Sequence, residues 1–203
     1  MLILNPDISL EANAILRMAR RLSQSEESIG VVGAVLFRAD ESLRPLEPRR
    51  FDSLGIEMHS SLRHFDAGSE VLVGEIGLRS EVFGVTGACL MLRRSAVQAA
   101  LLPREHEDCL FSLYPQLKVG AGDRPQLFDE GFFAYREDAD LAWRLQQLGW
   151  SACIEPSAEA YHVRHVLPER RARLAPELNK LGVRNRFLLQ LNNFPLGFFE
   201  SLS

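Results

Sequence analysis

An unbroken run of apolar residues in the first third of the chain constrains the fold more than any other feature. From Ile29 to Phe37 the sequence reads I-G-V-V-G-A-V-L-F, with no polar side chain. A short apolar run rich in β-branched residues is typical of a strand buried inside a sheet. The chain is therefore predicted to build its core around this strand.

Apolar strands and amphipathic helices alternate along the rest of the chain, which predicts α/β layering. A four-residue apolar repeat predicts a helix over residues 10–22. The stripe of this helix consists of Leu10, Ala14, Met18 and Leu22, widened by Ile15 and Ala19. Residues 38–80 are polar and irregular and predict only a loop or a weak hairpin. Residues 103–128, with three prolines, are expected to form a surface excursion.

The remaining predicted elements follow from the same signals. They are a strand at 2–4 ended by Asn5-Pro6-Asp7, a strand-like segment at 82–93, a helix at 95–101 capped by Ser95, a helix at 137–148 ended by Gly149, short strands at 150–154 and 160–163, and a final helix from Pro176 to about 191. No internal repeat is present.

Composition excludes several classes of protein. The length of 203 residues suits one ordinary domain, and a net charge of −4 argues against a general nucleic-acid binder. The stretch from Val82 to Leu92 is too short for a membrane span, which needs about 20 apolar residues. The three cysteines show no C-x-x-C spacing, which makes a disulfide framework or a thiolate zinc site unlikely and fits a reducing compartment.

A basic segment stands out against this acidic background. Between Arg164 and Arg186 seven basic residues face two acidic ones. Such a segment predicts contact with an anionic partner, for example phosphate groups or a membrane surface. A solvated helix face accounts for the same pattern equally well.

The predicted helix at 137–148 contains a carboxylate in a position of interest. Asp138 projects on the side of the apolar stripe, which consists of Leu141, Leu145 and Leu148. A carboxylate on that side faces a core or a cleft, where an unpaired charge is costly and usually has a function. The alternative is an acidic residue that only stabilises the helix N-terminus. Asp140 lies four residues before Arg144, and a surface ion pair is expected there.

Two further side chains are candidates on position alone. Asp7 closes the first strand, and the carboxyl ends of buried strands are where open α/β sheets bind ligands. The alternative for Asp7 is a simple turn or cap residue. His162 lies in the short run A-Y-H-V and is either a metal ligand or a hydrogen-bonded structural histidine.

Four segments in order make the chain resemble bacterial family 2 glycosyltransferases of the rhamnosyltransferase-like branch, which build cell-envelope polysaccharides. They are L-N-P-D, then G-V-T-G-A-C-L-M-L-R-R-S-A-V, then F-D-E-G-F-F-A-Y-R-E-D-A-D-L-A-W-R-L-Q-Q-L-G-W, then the A-x-x-x-H run from Ala158 to His162. The E-D-A-D-L-A-W-R-L element with its F-F-A-Y-R lead is the specific part.

The resemblance implies a partial GT-A fold of α/β class, with a mixed sheet flanked by helices. It also implies a nucleotide-sugar donor, a saccharide or polyprenyl-linked acceptor, and Mn²⁺ or Mg²⁺. By position in the motifs, Asp138 matches the catalytic base, Asp7 and His162 match metal ligands, and Gly87, Ala88 and Glu137 match residues on the sugar and acceptor side of the cleft. Asn5 replaces the first acid of the family's D-x-D position.

The family places nucleotide-binding strands before L-N-P-D, and this chain starts two residues before Ile3. We therefore expect an internal piece of an enzyme, with residues 1–163 as the catalytic and acceptor-binding portion and 164–203 as a basic helical extension. The strand ending at Asp7 is then expected to have an open edge. Two alternatives are a non-catalytic remnant of the same fold acting as a binding module and a metal-dependent hydrolase of another α/β class. A cytoplasmic location, with possible peripheral contact at the inner face of the plasma membrane, completes the expectation.

Overall fold

The computed structural model describes residues 1–102, 125–164 and 176–194. The strands are β1 (Leu2–Leu4), β2 (Ile8–Leu10), β3 (Ile29–Arg38), β4 (Phe51–Ser53), β5 (Ile56–Met58), β6 (His64–Asp66), β7 (Glu81–Val82), β8 (Cys89–Leu92) and β9 (Ser151–His162). The helices are α1 (Ala14–Gln24), α2 (Arg94–Ala100), α3 (Glu137–Gln147) and α4 (Pro176–Asn193), together with a 3₁₀ turn at Glu130–Phe132.

Seven of the described strands form one mixed sheet, whose main path runs β1–β8–β3–β9–β2. The central strand β3 pairs in parallel with β9 and antiparallel with β8. β4 pairs with β3 and β7 pairs with β9, while β5 and β6 form a separate hairpin. Among the described strands, β1 (Leu2–Leu4) is at one end of this path and pairs with β8.

Alternate residues of β3 enter hydrophobic cores on opposite faces of the sheet. On one face, Val31 and Val35 belong to a cluster that also holds Ala96 of α2 and both Leu141 and Leu145 of α3. On the other face, Val32, Ala34 and Leu36 belong to a cluster with Ala14 and Met18 of α1. The run from Gly30 to Arg38 is buried throughout, which confirms the predicted buried strand. The architecture is therefore mixed α/β, with helices on both faces of the sheet.

The N-terminal third differs from expectation in two places. The helix expected over 10–22 begins only at Ala14, because Leu10 pairs with Ala160 in the β2–β9 ladder. Ile15 does not widen the buried stripe, since 46% of its surface is exposed. Residues 38–80 contain β4 and the β5–β6 hairpin as well as loops, and Phe51 and Ile56 are core residues there.

Strand lengths also differ from expectation at 82–93 and at 150–163. The segment 82–93 divides into β7 and β8, because Gly84 to Ala88 leaves the ladder between them. The two short strands expected at 150–154 and 160–163 are one strand, β9. Its pairing with β3 continues on both sides of the polar residues in the middle of β9, because the register shifts between Ala34 and Val35.

Helix boundaries agree more closely. α2 begins at Arg94, one residue before the expected cap Ser95, and no side chain caps it. α3 ends as predicted before Gly149, whose φ of +83° is the left-handed conformation that favours glycine. Leu148 is not part of the buried stripe, because it follows the helix and is 52% exposed. The predicted final helix is present, and its described part, α4, runs from Pro176 to Asn193. Most of the excursion at 103–128 lies outside the described residues.

Candidate functional site

The turn after β1 brings Asp7 next to the end of β9. The β2–β9 ladder pairs Ile8 with His162, and the backbone N–H of Val163 donates to the carbonyl of Asp7 over 3.1 Å. Nε2 of His162 lies 3.5 Å from Oδ1 of Asp7. These two side chains, 155 positions apart in the printed numbering, are therefore neighbours, as the interpretation of Asp7 and His162 as one site requires.

The other ring nitrogen of His162 faces a residue that sequence reasoning missed. Nδ1 lies 2.7 Å from Oδ2 of Asp52 in β4, and Asp52 is only 2% exposed. Arg38 donates from Nη1 to the opposite oxygen of Asp52 over 3.0 Å. Burial opposes ionisation of Asp52, but the hydrogen bond with His162 and the charge of Arg164 outweigh it and lower the pKa of Asp52. The carboxylate is therefore held in its charged form.

Asp138 is held at the start of α3 by two backbone donors. The N–H of Gly87 donates to its Oδ2 over 3.0 Å, and the N–H of Ala139 donates to its Oδ1 over 2.8 Å. Gly87 lies in the break between β7 and β8, so the irregular stretch of the sheet positions this carboxylate. A Cβ added at Gly87 would lie 3.4 Å from Cβ of Asp138, so the backbone at Gly87 runs close beside the side chain of Asp138.

Glu137 and Ala88 complete the surroundings of Asp138. Burial, and then the negative charge of Asp138, raise the pKa of Glu137 above its ordinary value. Oε2 of Glu137 is buried and has no hydrogen-bond partner within the described part of the chain. Ala88 is buried, and its carbonyl accepts the N–H of Asn5 over 2.9 Å, which ties the turn after β1 to the Gly87 segment.

Several of the residues described above line one cavity of about 310 Å³. The lining residues singled out by the sequence, together with Asn5, are Gly87, Ala88, Glu137, Asp138 and His162. Asp7 adjoins the cavity through its contact with His162. The structure thus brings together every predicted site residue, although their chemical roles remain predictions.

The opposite wall of the cavity is a loop with unusual backbone geometry. Phe133, Tyr135 and Arg136 have φ values of +62°, +69° and +77°, in the left-handed region that side chains rarely adopt. The buried amide of Asn185 in α4 donates to the carbonyls of Phe132, Ala134 and Tyr135. These hydrogen bonds tie the loop to α4. Phe133 of this loop lines the cavity and is 81% exposed. Such local strain persists only where the surroundings enforce it.

Asp140 corrects one prediction. The expected partner is right, since Arg144 donates from Nε to Oδ2 of Asp140 over 2.7 Å. The expected surface location is wrong, since Asp140 is 1% exposed. Asn193 of α4 donates to Oδ1 over 2.7 Å, and packing of α4 on α3 covers the pair. A second helix that approaches from distant sequence is invisible to an i, i+4 argument.

Asp7 and His162 are the two side chains of the site for which metal binding was predicted. Within 1–102, 125–164 and 176–194, no group of three or more His, Cys, Asp or Glu side chains is placed to hold an ion. Asp7 offers a carboxylate and His162 an imidazole nitrogen at the same point. A hard divalent cation held by one or two protein groups usually takes its other ligands from substrate phosphates and water. A cation held by these two side chains alone would therefore need further ligands from substrate or water.

Helix α4 presents an apolar stripe to solvent. Val183, Phe187 and Leu191 follow each other at four-residue intervals and are 61%, 56% and 72% exposed. The opposite face is buried, with Asn185, Leu189 and Asn193 almost fully covered. As for spanning segments, none of the helices in the described ranges has the length and apolar character to cross a bilayer.

Comparison with known proteins gives one partial relationship. No protein-family model matches the chain. A segment of 78 residues is 35% identical to the N-acetylglucosaminyl-diphospho-decaprenol L-rhamnosyltransferase of Mycobacterium tuberculosis, in both strain CDC 1551 / Oshkosh and strain ATCC 25618 / H37Rv. The match covers 38% of this chain and 17% of the relative's length. The relationship supports a glycosyltransferase-like protein, in line with the resemblance seen in the motifs.

Proposed function

We propose that the chain is the catalytic portion of a family 2 glycosyltransferase with a GT-A-type fold. It transfers a sugar, by inversion, from a nucleotide-sugar donor to a saccharide or polyprenyl-linked acceptor of the cell envelope. The observation that carries the proposal is the convergence of Asp138 and His162 on one cavity, with Asp7 in contact with His162. The partial identity to a rhamnosyltransferase supports the same class of reaction.

Asp138 is the proposed general base. It takes the proton of the acceptor hydroxyl as that oxygen attacks the anomeric carbon, while the bond from this carbon to the diphosphate oxygen breaks and the nucleoside diphosphate leaves with the electron pair. The two backbone N–H groups that donate to Asp138 support this role, because they fix the position of the carboxylate at the cavity wall.

Asp7 and His162 are the proposed ligands for Mn²⁺ or Mg²⁺. When bound, the ion supplies Lewis-acid neutralisation of the negative charge on the departing diphosphate. The contribution of the chain is to hold a carboxylate and an imidazole side by side at the strand ends, where the sheet fixes both backbones. An imidazole among the ligands favours Mn²⁺ over Mg²⁺.

Glu137, Gly87 and Ala88 form the proposed sugar-binding wall. Glu137 lines the cavity beside Asp138, and its carboxyl group is the proposed acceptor for a sugar hydroxyl. Gly87 lines the cavity without a side chain, and a Cβ there would lie 3.4 Å from Cβ of Asp138. Phe133, exposed on the opposite wall, offers an apolar surface to the acceptor.

A peripheral contact of α4 with an anionic membrane is part of the proposal. The exposed stripe of Val183, Phe187 and Leu191 supplies apolar area, and Lys180 and Arg186 on the same helix supply positive charge. An interfacial helix combines these two features. The contact would bring the cavity to the cytoplasmic face of the membrane, where lipid-linked acceptors are found.

The enzymatic proposal is tested with the 203-residue chain, a panel of nucleotide sugars, Mn²⁺ and N-acetylglucosaminyl-diphospho-polyprenol as acceptor. We expect sugar transfer from one donor. Asp138→Asn should slow it by about 10²–10⁴-fold, and Glu41→Gln, a change at an exposed acidic residue, should leave it intact. Donor binding in calorimetry without turnover would favour the non-catalytic binding module instead. Hydrolysis of substrates that contain no nucleotide sugar would favour the hydrolase.

The membrane contact is tested by flotation with liposomes of phosphatidylglycerol or of phosphatidylcholine alone. We expect flotation with the anionic vesicles, and its loss when Val183, Phe187 and Leu191 are all replaced by serine. The matched control replaces Ile15 and Leu16, which are similarly exposed on α1, and should float like the wild type. Equal flotation with both lipids would refute the electrostatic part.

A further inference from the structure

We infer that Asp52 is a positioning residue that fixes the orientation of the His162 ring, so that Nδ1 bonds to Asp52 and Nε2 faces Asp7. The part of this inference that concerns a cation rests on the proposed function, while the part that concerns the ring rests on geometry alone. Asp52 lies in residues 38–80, where sequence patterns predict nothing beyond a loop or a weak hairpin.

The contacts of Asp52 divide cleanly between its two oxygens. Oδ1 accepts from Nη1 of Arg38 over 3.0 Å and lies 3.4 Å from Nη1 of Arg164. Oδ2 lies 2.7 Å from Nδ1 of His162. The two arginines thus hold one oxygen, and the other is directed at the histidine ring.

The backbone around this contact is anchored on three strands. In the parallel ladder of β3 and β9, Arg38 pairs with His162. β4, which holds Asp52, pairs with β3 through Leu36 and Ser53. The arginine, the aspartate and the histidine are therefore fixed relative to one another by the sheet, and the side chain of Asp52 is only 3% exposed.

Chemistry then determines which ring nitrogen carries the proton. An ionised carboxylate only accepts hydrogen bonds, so Nδ1 has to carry a proton to bond with Oδ2. Nε2, 3.5 Å from Oδ1 of Asp7, is then available for a cation. A carboxylate on the far nitrogen is the usual companion of a metal-binding histidine, where it fixes the ring and increases its basicity.

An isosteric change at position 52 separates this role from simple packing. In Asp52→Asn, the two arginines retain the amide oxygen, which turns the amide N–H₂ toward Nδ1 of His162. The ring then accepts at Nδ1 and carries its proton on Nε2, facing Asp7. We expect Mn²⁺ affinity, measured by the electron paramagnetic resonance of free Mn²⁺, to fall about 10-fold or more.

Asp66→Asn is the matched control. Asp66 is a partly buried carboxylate that also pairs with Arg164, but the described contacts of His162 do not include it. The variant removes the same charge next to the same arginine, and its Mn²⁺ affinity should stay within about twofold of wild type because His162 keeps its partner. Equal weakening in Asp52→Asn and Asp66→Asn would overturn the inference in favour of a general charge effect.

A double-mutant cycle with His162→Gln tests whether Asp52 affects Mn²⁺ binding through the His162 ring or only through the stability of the fold. If Asp52 acts through the ring, Asp52→Asn should weaken Mn²⁺ binding little further once His162 is gone. A full additional loss in the His162→Gln background would contradict the inference. Circular dichroism of each variant verifies that the fold is retained.

The position of the ring proton can be measured without any metal. ¹⁵N NMR of the metal-free chain, with His162→Gln used for assignment, should show Nδ1 of His162 protonated in wild type and unprotonated in Asp52→Asn. A bare Nδ1 in wild type would overturn the inference. If wild type binds no Mn²⁺, the proposed cation is wrong, and this NMR result still decides the role of Asp52.

Discussion

The backbone N–H of Gly87 donates a hydrogen bond of 3.0 Å to Oδ2 of Asp138. This bond connects the break between β7 and β8 with the first turn of α3, across 51 positions of sequence. The irregularity interrupts the strand predicted at 82–93, and it leaves the N–H of Gly87 outside the ladder, where it bonds to a side chain.

The first prediction concerns the carboxylate at the end of that bond. Replacement of Asp138 by asparagine removes the proton acceptor but keeps an oxygen for one of the two backbone donors. We expect the rate of sugar transfer to fall by about 10²–10⁴-fold, the usual contribution of a general base. Thermal unfolding should change little. Retention of most of the activity in Asp138→Asn would show that another group takes the proton.

A second prediction follows from the close approach of Gly84 to α3. A Cβ at this position would lie 2.3 Å from Cβ of Ala142, and neither atom belongs to a flexible side chain. Gly84→Ala should lower the free energy of unfolding by about 1–3 kcal/mol, the usual cost of overpacking. Urea titration measures the change. Gly77→Ala, where nothing lies within 4 Å, is the control and should stay within about 0.5 kcal/mol of wild type.

The buried ion pair of Asp140 and Arg144 provides the third prediction. Asp140→Ala leaves the largely buried Arg144 guanidinium without its carboxylate and Asn193 without its acceptor. We expect a loss of about 3–5 kcal/mol in unfolding free energy. Glu57→Ala breaks an exposed pair with Arg79 and should cost less than about 1 kcal/mol. Urea titration measures both losses of unfolding free energy. Equal losses in the two variants would show that Asp140 and Arg144 do not form a buried ion pair.

The fourth prediction concerns a buried thiol. Cys89 is inaccessible, and burial raises its pKa to about 11. The folded state therefore favours the neutral thiol, which supports folding at pH values below the pKa of an unfolded cysteine. This support is lost as the pH rises through about 11. Peptide mapping after iodoacetamide treatment at about pH 8 should find Cys89 unmodified in the folded protein and modified in guanidinium chloride, because the thiolate is the reactive form. Rapid modification in the folded protein would contradict this.

The raised pKa of Cys89 also predicts how the free energy of unfolding changes with pH. Between about pH 9 and about pH 11, wild type should lose more unfolding free energy than Cys89→Ala, by on the order of 2 kcal/mol. Urea titrations at several pH values measure the difference. Parallel pH profiles for the two proteins would show that Cys89 titrates as it does in the unfolded chain.

Local patterns were sufficient for the parts of the fold that depend on neighbours in sequence. Burial patterns and helix-end signals account for the apolar run of β3, for the start of α3 near Glu137 and for its end before Gly149. They could be predicted because each signal lies within a few residues of the element it specifies.

Sequence motifs identified some residues of the candidate site but not all of them. Asp7, Asp138 and His162 were singled out by strand ends, helix faces and a family resemblance, and the structure places them at one end of the sheet. The strand β9 was read as two pieces, because its polar middle, around Glu155 to Ser157, breaks the apolar pattern. Only its pairing with β3 reveals it as one element.

The sequence by itself determined which side chains stand at the ends of the secondary structure, since turns, caps and apolar runs are written in adjacent residues. Tertiary structure alone decided their surroundings. Asp52 meets His162 across 110 positions, and Asp140 meets Asn193 across 53. Burial and partner choice depend on which distant segments pack together, and a carboxylate looks the same in sequence whether it faces water or a buried ring.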